Sequence, residues 1–175
     1  MQADDLERSI IENTRRLRRF AVSLAGPGDA DDLFQTTCET AFRKRRRLRR
    51  PDKAPAWLMT IMYRRFLSDR RKAARRRETA GDAAPDIGAG ASSALKLSAV
   101  RVVDALETLP DDQRAALVLV AVEGWSSEEA GAILDVKPGS VRARVSRARE
   151  RLREQLGGDG LDSLGGEPSL GRKAN

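Results

Sequence analysis

Apolar residues recur at helical spacing early in the chain. Leu6, Ile10, Leu17, Ala21 and Leu24 lie three, four or seven apart and predict an amphipathic helix. Gly26-Pro27-Gly28 should stop it, since both residue types break helical continuity. Asp29 is the expected N-cap of a second helix, with Asp31 and Asp32 in its first turn, where the helix dipole favours acids. Its inner face reads Leu33, Phe34, Thr37, Cys38 and Ala41. Pro51 and Pro55 bracket a break, and a long helix is expected over 56–77, with Trp57, Leu58, Ile61, Met62 and Phe66 as its buried stripe.

Periodicity then vanishes. Ala, Gly, Asp and Ser dominate after Glu78 and Pro85 interrupts, so 78–96 reads as a flexible linker. A second block resumes at Leu97, Val100, Val103 and Leu106, turns at Leu109-Pro110, and continues as a very apolar helix over 113–122. From Gly157 the sequence is Gly-rich without a core pattern, which predicts a disordered tail over 157–175. The expected fold is all-α: two small helical domains, 1–77 and 97–156, joined by the linker.

The most informative stretch runs from Glu123 to Leu152, EGWSSEEAGAILDVKPGSVRARVSRARERL. Ser126 followed by Glu129 is a capping box. It opens a short helix with Ala130, Ile133 and Leu134 facing inward. Asp135-Val136-Lys137 makes a three-residue turn, its valine placed to plug the angle between helices. Pro138 suits a first helical position, and a second helix follows to about Gln155 with Val141, Val145, Ala148 and Leu152 buried. Its other faces carry Arg142, Arg144, Arg147, Arg149, Arg151 and Arg153 against two acids, Glu150 and Glu154. A short helix, a tight turn and a basic second helix form a helix-turn-helix, the unit that lays its second helix in the major groove. Ser140, Arg142, Ala143, Arg144, Ser146 and Arg147 are the candidate DNA contacts. Those nearest the helix start reach base edges, and later arginines suit phosphates. Arg149 to Arg153 could instead complement the helix C-terminus.

Composition agrees. Only 4% of the 175 residues are aromatic and 34% are charged, which suits helical bundles better than a β core. The net charge of +7 points to a polyanionic partner. No apolar run approaches the roughly 20 residues of a membrane span, and the N-terminus has no signal-peptide pattern, so no membrane insertion and a cytoplasmic location are expected. A single cysteine, Cys38, rules out an internal disulfide, and the absence of histidine leaves no plausible zinc set. No metal or cofactor is expected. Without histidine the commonest general base is also missing, which weighs against an enzyme.

These residues resemble region 4 of extracytoplasmic-function (ECF) sigma factors, whose signature the string from Leu109-Pro110 through Leu152 follows almost throughout. The first block is similar to region 2 of the same family. DADDLFQTTCETAF resembles the acidic helix that binds core polymerase, and AWLMTIMYRRFLSDRRKAARR resembles the helix that melts and reads the −10 element. A bare linker between the blocks is what the ECF group implies, and DQRAALVLVAVEGWSSEEA looks closest to the alphaproteobacterial general-stress branch. The resemblance implies an alternative sigma factor acting in a stress or envelope response, with core RNA polymerase (β′ clamp helices and β flap), promoter DNA and an anti-sigma factor as partners. Asp31, Asp32, Leu33 and Gln35 would dock on the clamp helices, an acidic face meeting a basic coiled coil; acids placed only for the helix dipole are the alternative. Thr36 stands where the family usually has glutamate.

The −10 set would be Trp57, Tyr63, Arg64, Arg65, Phe66, Arg70 and Arg71. Aromatics beside cations suit an unpaired strand, whose bases stack while cations follow the phosphates. Trp57 is in register with Ile61, which favours the core over a contact. Met62-Tyr63-Arg64 replaces the family's "ARN", so the asparagine near the flipped base is absent. The run Arg43 to Arg50 is denser than the family pattern; it would either track phosphates upstream of the bubble or be a solvated loop.

Other classes fit less well. A response-regulator type of DNA-binding protein needs an N-terminal α/β receiver, and residues 1–77 show helical periodicity without buried strand runs. A serine recombinase needs a nucleophile site that the first block lacks. A basic RNA-binding protein explains the charge but not the capped helix-turn-helix.

Overall fold

The computed structural model describes residues 3–80 and 104–156, and among them every regular element is helical. The first helix, α1 (Ala3–Lys44), is broken at Gly26, where φ 76° and ψ 169° fall in a region that only glycine enters without strain. Pro27 opens the second arm, because its fixed φ suits a first helical turn and its missing N–H would have no intrahelical partner there. This corrects the expected N-cap: the arm begins at Gly26-Pro27, and Asp29 lies inside it.

Two 3-10 turns, Arg45–Arg47 and Pro51–Lys53, lead to α2 (Ala54–Ala80). Pro55 sits in the first turn of α2 rather than bracketing the break. The helix also runs through 78–80, which the sequence pattern assigns to the linker, and no helix breaker occurs before Gly81. The linker beyond 80, Leu97, Val100, Val103 and the tail lie outside the described residues.

The two arms of α1 fold against α2. Leu17, Phe20, Ala21 and Leu24 from the first arm meet Leu33 and Ala41 from the second, and Leu58, Met59, Met62 and Phe66 from α2. Each of the larger side chains stabilises the block by about 1.5–3 kcal/mol through burial. The fully buried Thr37 donates its hydroxyl to the Leu33 carbonyl at 2.7 Å, so no polar group is orphaned there.

In the second block a helical turn at 104–107 precedes α3 (Asp111–Leu117), α4 (Ser127–Leu134) and α5 (Pro138–Leu156). The apolar helix expected over 113–122 starts at Asp111, and its last turn, Val118–Val122, is wound as a π-helix. The Glu123 N–H reaches back five residues to Val118 O at 3.0 Å. Val141, Val145, Ala148 and Leu152 are all buried, as their spacing predicts.

No strand occurs among the described residues, so residues 3–80 cannot be an α/β receiver. Among them, no helix is long and apolar enough to cross a membrane. The two blocks also pack on each other: their buried side chains form one continuous cluster, with α1 against α3 and α2 against α4.

Candidate nucleic-acid interface

The helix-turn-helix forms as its capping chemistry requires. Ser126 Oγ accepts from the Glu129 N–H at 3.1 Å, and the Glu129 carboxylate accepts from the Ser126 N–H at 3.0 Å. The hydrogen bonds from the Ser126 backbone and hydroxyl hold the Glu129 carboxyl below its ordinary range. Asp135 takes the left-handed conformation (φ 59°, ψ 47°) that ends α4, and Val136 packs against the core between the helices. Gly131 is required by close approach: a Cβ there would lie 2.7 Å from the Val136 carbonyl oxygen.

On α5, Ser140, Arg142, Ser146 and Arg147 are exposed, while Ala143 and Arg144 are half-buried. Arg142 lies 3.4 Å from Glu128 of α4. Arg144 turns toward α3, where its Nε meets Asp112 at 3.0 Å, so in this arrangement it braces the second block.

The candidate strand-reading residues of α2 divide by depth. Tyr63 and Phe66 are buried and Trp57 is half-buried against the core. Burial pushes the Tyr63 phenol pKa up; the charges around it, Arg144, Asp112 and Asp111, all belong to the second block. Arg64 lies 3.6 Å from Asp135, and Arg70 donates to Asp111 at 2.9 Å. Arg65 pairs with Asp69 one turn away at 2.7 Å, and Arg71 is exposed. Tyr63, Arg64 and Arg70 of the −10 set thus lie at the joint with the second block, while Ser140, Arg142, Ser146 and Arg147 of the −35 set stay exposed on α5.

Of the candidate polymerase-binding residues, Asp31, Asp32 and Gln35 are exposed. Asp31 accepts from Arg18 at 2.7 Å, and Gln35 donates to Glu39 at 3.2 Å. Leu33 is only 5% exposed and anchors this helix in the core. A crevice of about 500 Å³ between this arm and α2 is lined by Asp29, Asp32, Arg65, Phe66, Arg70 and Arg77, so the acidic face and the strand-reading face share one edge.

Four residues that sequence reasoning missed close the joint. The Glu123 side chain is 0% exposed and accepts from Arg16 Nε at 2.9 Å and from Arg19 Nε and Nη2 at 2.9 and 3.1 Å. Arg16 also donates to the Glu123 carbonyl at 2.7 Å and lies over the Trp125 ring at 4.9 Å. Arg114, buried on α3, donates to the Leu24 carbonyl at 3.0 Å, one residue from the end of the first arm's apolar run. The available signal was a charge embedded in each apolar run, Arg114 in DQRAALVLV and Glu123 in VAVEGW.

Residues 10–76 match the family model for sigma-70 region 2, and residues 99–152 match the one for sigma-70 region 4. The chain is 37% identical to the ECF RNA polymerase sigma factor EcfG of Rhodopseudomonas palustris over 95% of its length and 93% of that protein's. It is 36% identical to the RNA polymerase sigma factor CarQ of Myxococcus xanthus, covering 88% of this chain and 90% of that one. Among solved structures it resembles the sigma factor RpoE of Bartonella quintana, in complex with the anti-sigma factor NepR. That match has a TM-score of 0.81 and 33% identity over 90% of this chain and 99% of the other. CnrH, in complex with the cytosolic domain of CnrY, is similar at a TM-score of 0.65 and 27% identity, covering 88% of each chain. With both regions present on an all-helical frame and a capped helix-turn-helix in the second, this chain belongs to the ECF group of the sigma-70 family and is an alternative sigma factor.

Proposed function

We propose that the chain joins core RNA polymerase through Asp31, Asp32 and Gln35, with Leu33 holding their helix in place, and through a contact of the second block with the β flap. Residues 97–156 then read the −35 duplex with Ser140, Arg142, Ala143, Arg144, Ser146 and Arg147. Residues 1–77 capture the opened −10 strand with Tyr63, Arg64, Arg65, Phe66, Arg70 and Arg71; Trp57 supports that helix from the core side. Residues 78–96 serve as the linker, and bond formation belongs to the polymerase. The chain works in the cytoplasm, with promoter DNA. The DQRAALVLVAVEGWSSEEA segment and the likeness to EcfG and RpoE support the alphaproteobacterial general-stress branch, with an anti-sigma partner.

The observation that carries the mechanism is the joint. Tyr63 and Phe66 are buried, Arg64 and Arg70 face carboxylates of the second block, and Arg144 faces Asp112. Tyr63, Arg64 and Arg70 are engaged with the second block in this arrangement and a strand has to compete with that block for them, so the packed form is the resting form. Polymerase binding supplies the differential affinity that opens it.

Run-off transcription with purified core polymerase tests this reading. Adding the chain should give a promoter-dependent transcript, and the chain should co-purify with core. Absence of both would sink it.

A further inference from the structure

The run from Arg43 to Arg50 has no part in the joint, in the helix-turn-helix or in the acidic face. Seven of its eight residues are basic, six of them arginine. The fold holds this charge in a fixed shape. Lys44 ends α1, the Arg45–Arg47 turn closes with Leu48 N–H on Arg45 O at 3.2 Å, and Arg45 Nη1 donates to the Phe42 carbonyl at 2.9 Å. Leu48 is buried on extended backbone (φ −85°, ψ 103°), and Arg47 and Arg49 on either side of it are exposed. Arg43, Lys44, Arg46, Arg47 and Arg49 are all exposed.

Among the described residues, none of Lys44, Arg46, Arg47 and Arg49 meets a carboxylate. Arg43 makes one long hydrogen bond to Thr40, and Arg50 is occupied by Asp52. The contrast is with Arg16, Arg18, Arg19, Arg64, Arg65, Arg70, Arg114, Arg142 and Arg144, each of which pairs with an acid. A rigid cluster of like charges, left without acids, is complementary to an anion from outside.

The chemistry of the cluster selects the anion. Arginine's planar fork suits phosphate oxygens and is less strongly hydrated than an ammonium. The run holds no aromatic residue, so it offers no stacking platform for bases of a single strand. Three residues of 3-10 turn and three extended ones span about 15 Å, enough to face about three phosphates along one strand of a duplex.

We propose that Arg43, Lys44, Arg46, Arg47 and Arg49 form a clamp for the sugar-phosphate backbone of duplex DNA, independent of base sequence. This rests on the reading of the chain as a promoter-binding polymerase subunit. The clamp adds affinity and salt sensitivity, and leaves promoter choice to the helix-turn-helix.

The test is the triple variant R46Q/R47Q/R49Q beside the charge-keeping R46K/R47K/R49K. Affinity for a promoter duplex and for a non-promoter duplex is measured from 50 to 200 mM KCl, with holoenzyme and with the full chain alone. The glutamine variant should lower the slope of log affinity against log salt by about 3, one per lost phosphate contact, on both duplexes. The lysine variant should keep most of the slope, and core binding should be unchanged. An unchanged slope with the glutamine variant overturns the clamp and leaves a solvated face. Weakened core binding with an unchanged slope also overturns it, assigning the run to a polymerase surface. Transcription by the parent chain reports separately on the polymerase-subunit reading, and the slope of the full chain alone reports on the clamp, so the two can fail independently.

Discussion

Replacing Glu123 by glutamine should open the molecule without unfolding either block. The parent carboxylate is fully buried and takes three charge-assisted hydrogen bonds from Arg16 and Arg19, at 2.9, 2.9 and 3.1 Å. Breaking a wholly buried ion pair costs about 3–5 kcal/mol. Here the two arginine side chains are 34% and 45% exposed and can rehydrate once released, which lowers the cost. A glutamine keeps the shape and one acceptor oxygen but turns an amide N–H₂ toward a guanidinium. A loss of about 2 kcal/mol is therefore reasonable, which shifts the closed-to-open equilibrium about 30-fold. Glu123 is held by side chains of the first block alone, so this loss falls on the joint rather than on the core of either block. Small-angle scattering should show a larger radius of gyration for Glu123→Gln. Affinity of the chain alone for a single-stranded −10 oligonucleotide should rise, by up to the same factor, because Tyr63, Arg64 and Arg70 are released from the second block. Arg16→Glu combined with Arg19→Glu should act in the same direction. The reasoning is refuted if Glu123→Gln keeps the parent radius and DNA affinity while its melting temperature falls, since Glu123 would then support a block and not the joint.

Three substitutions in the second block have defined outcomes. Ser126→Ala should cost about 1 kcal/mol of stability by removing the cap, read in a urea titration. The Glu129 carboxyl, held below its ordinary 4.5 when folded, stabilises the cap fully above that value and loses this as pH falls through the lowered folded value. The acid-induced loss of helical circular dichroism should therefore be shallower in Ser126→Ala, and an identical acid profile would contradict the capping account. Gly131→Ala drives a Cβ to 2.7 Å from the Val136 carbonyl, and should destabilise by about 1–3 kcal/mol in a thermal melt. Arg142→Ala, exposed near the start of α5, should weaken one −35 position selectively by about 1–3 kcal/mol in binding to a panel of single-base variants. A uniform loss across the panel would place Arg142 on phosphates instead.

Local rules were enough to read most of the helical frame. The capping box at Ser126 and Glu129, the Pro138 start and the Val141 to Leu152 stripe concern groups within a few residues of one another, and each appears where the pattern puts it. The misplaced boundaries have a local cause too. Gly26-Pro27 has two readings, a full stop or a kink that Pro27 restarts. Packing of both arms on one α2 face selects the kink. Pro55 likewise can bracket a break or open a helix, and only the run of buried side chains after it decides.

The two blocks, their helical class, the DNA-binding unit and the excess of positive charge are legible along the chain, because periodicity, capping and composition are set by near neighbours. The tertiary structure alone decided which charges are available. Arg64, Arg70 and Arg144 read as equal to Arg147 and Arg49 in a one-dimensional pattern, yet the first three meet Asp135, Asp111 and Asp112 when the chain folds, and the last two point to solvent. Glu123 is 104 residues from Arg19 and 107 from Arg16, and no local rule connects them. Desolvation and charge pairing depend on what the fold brings within about 4 Å, and that is a property of the packed molecule rather than of the string.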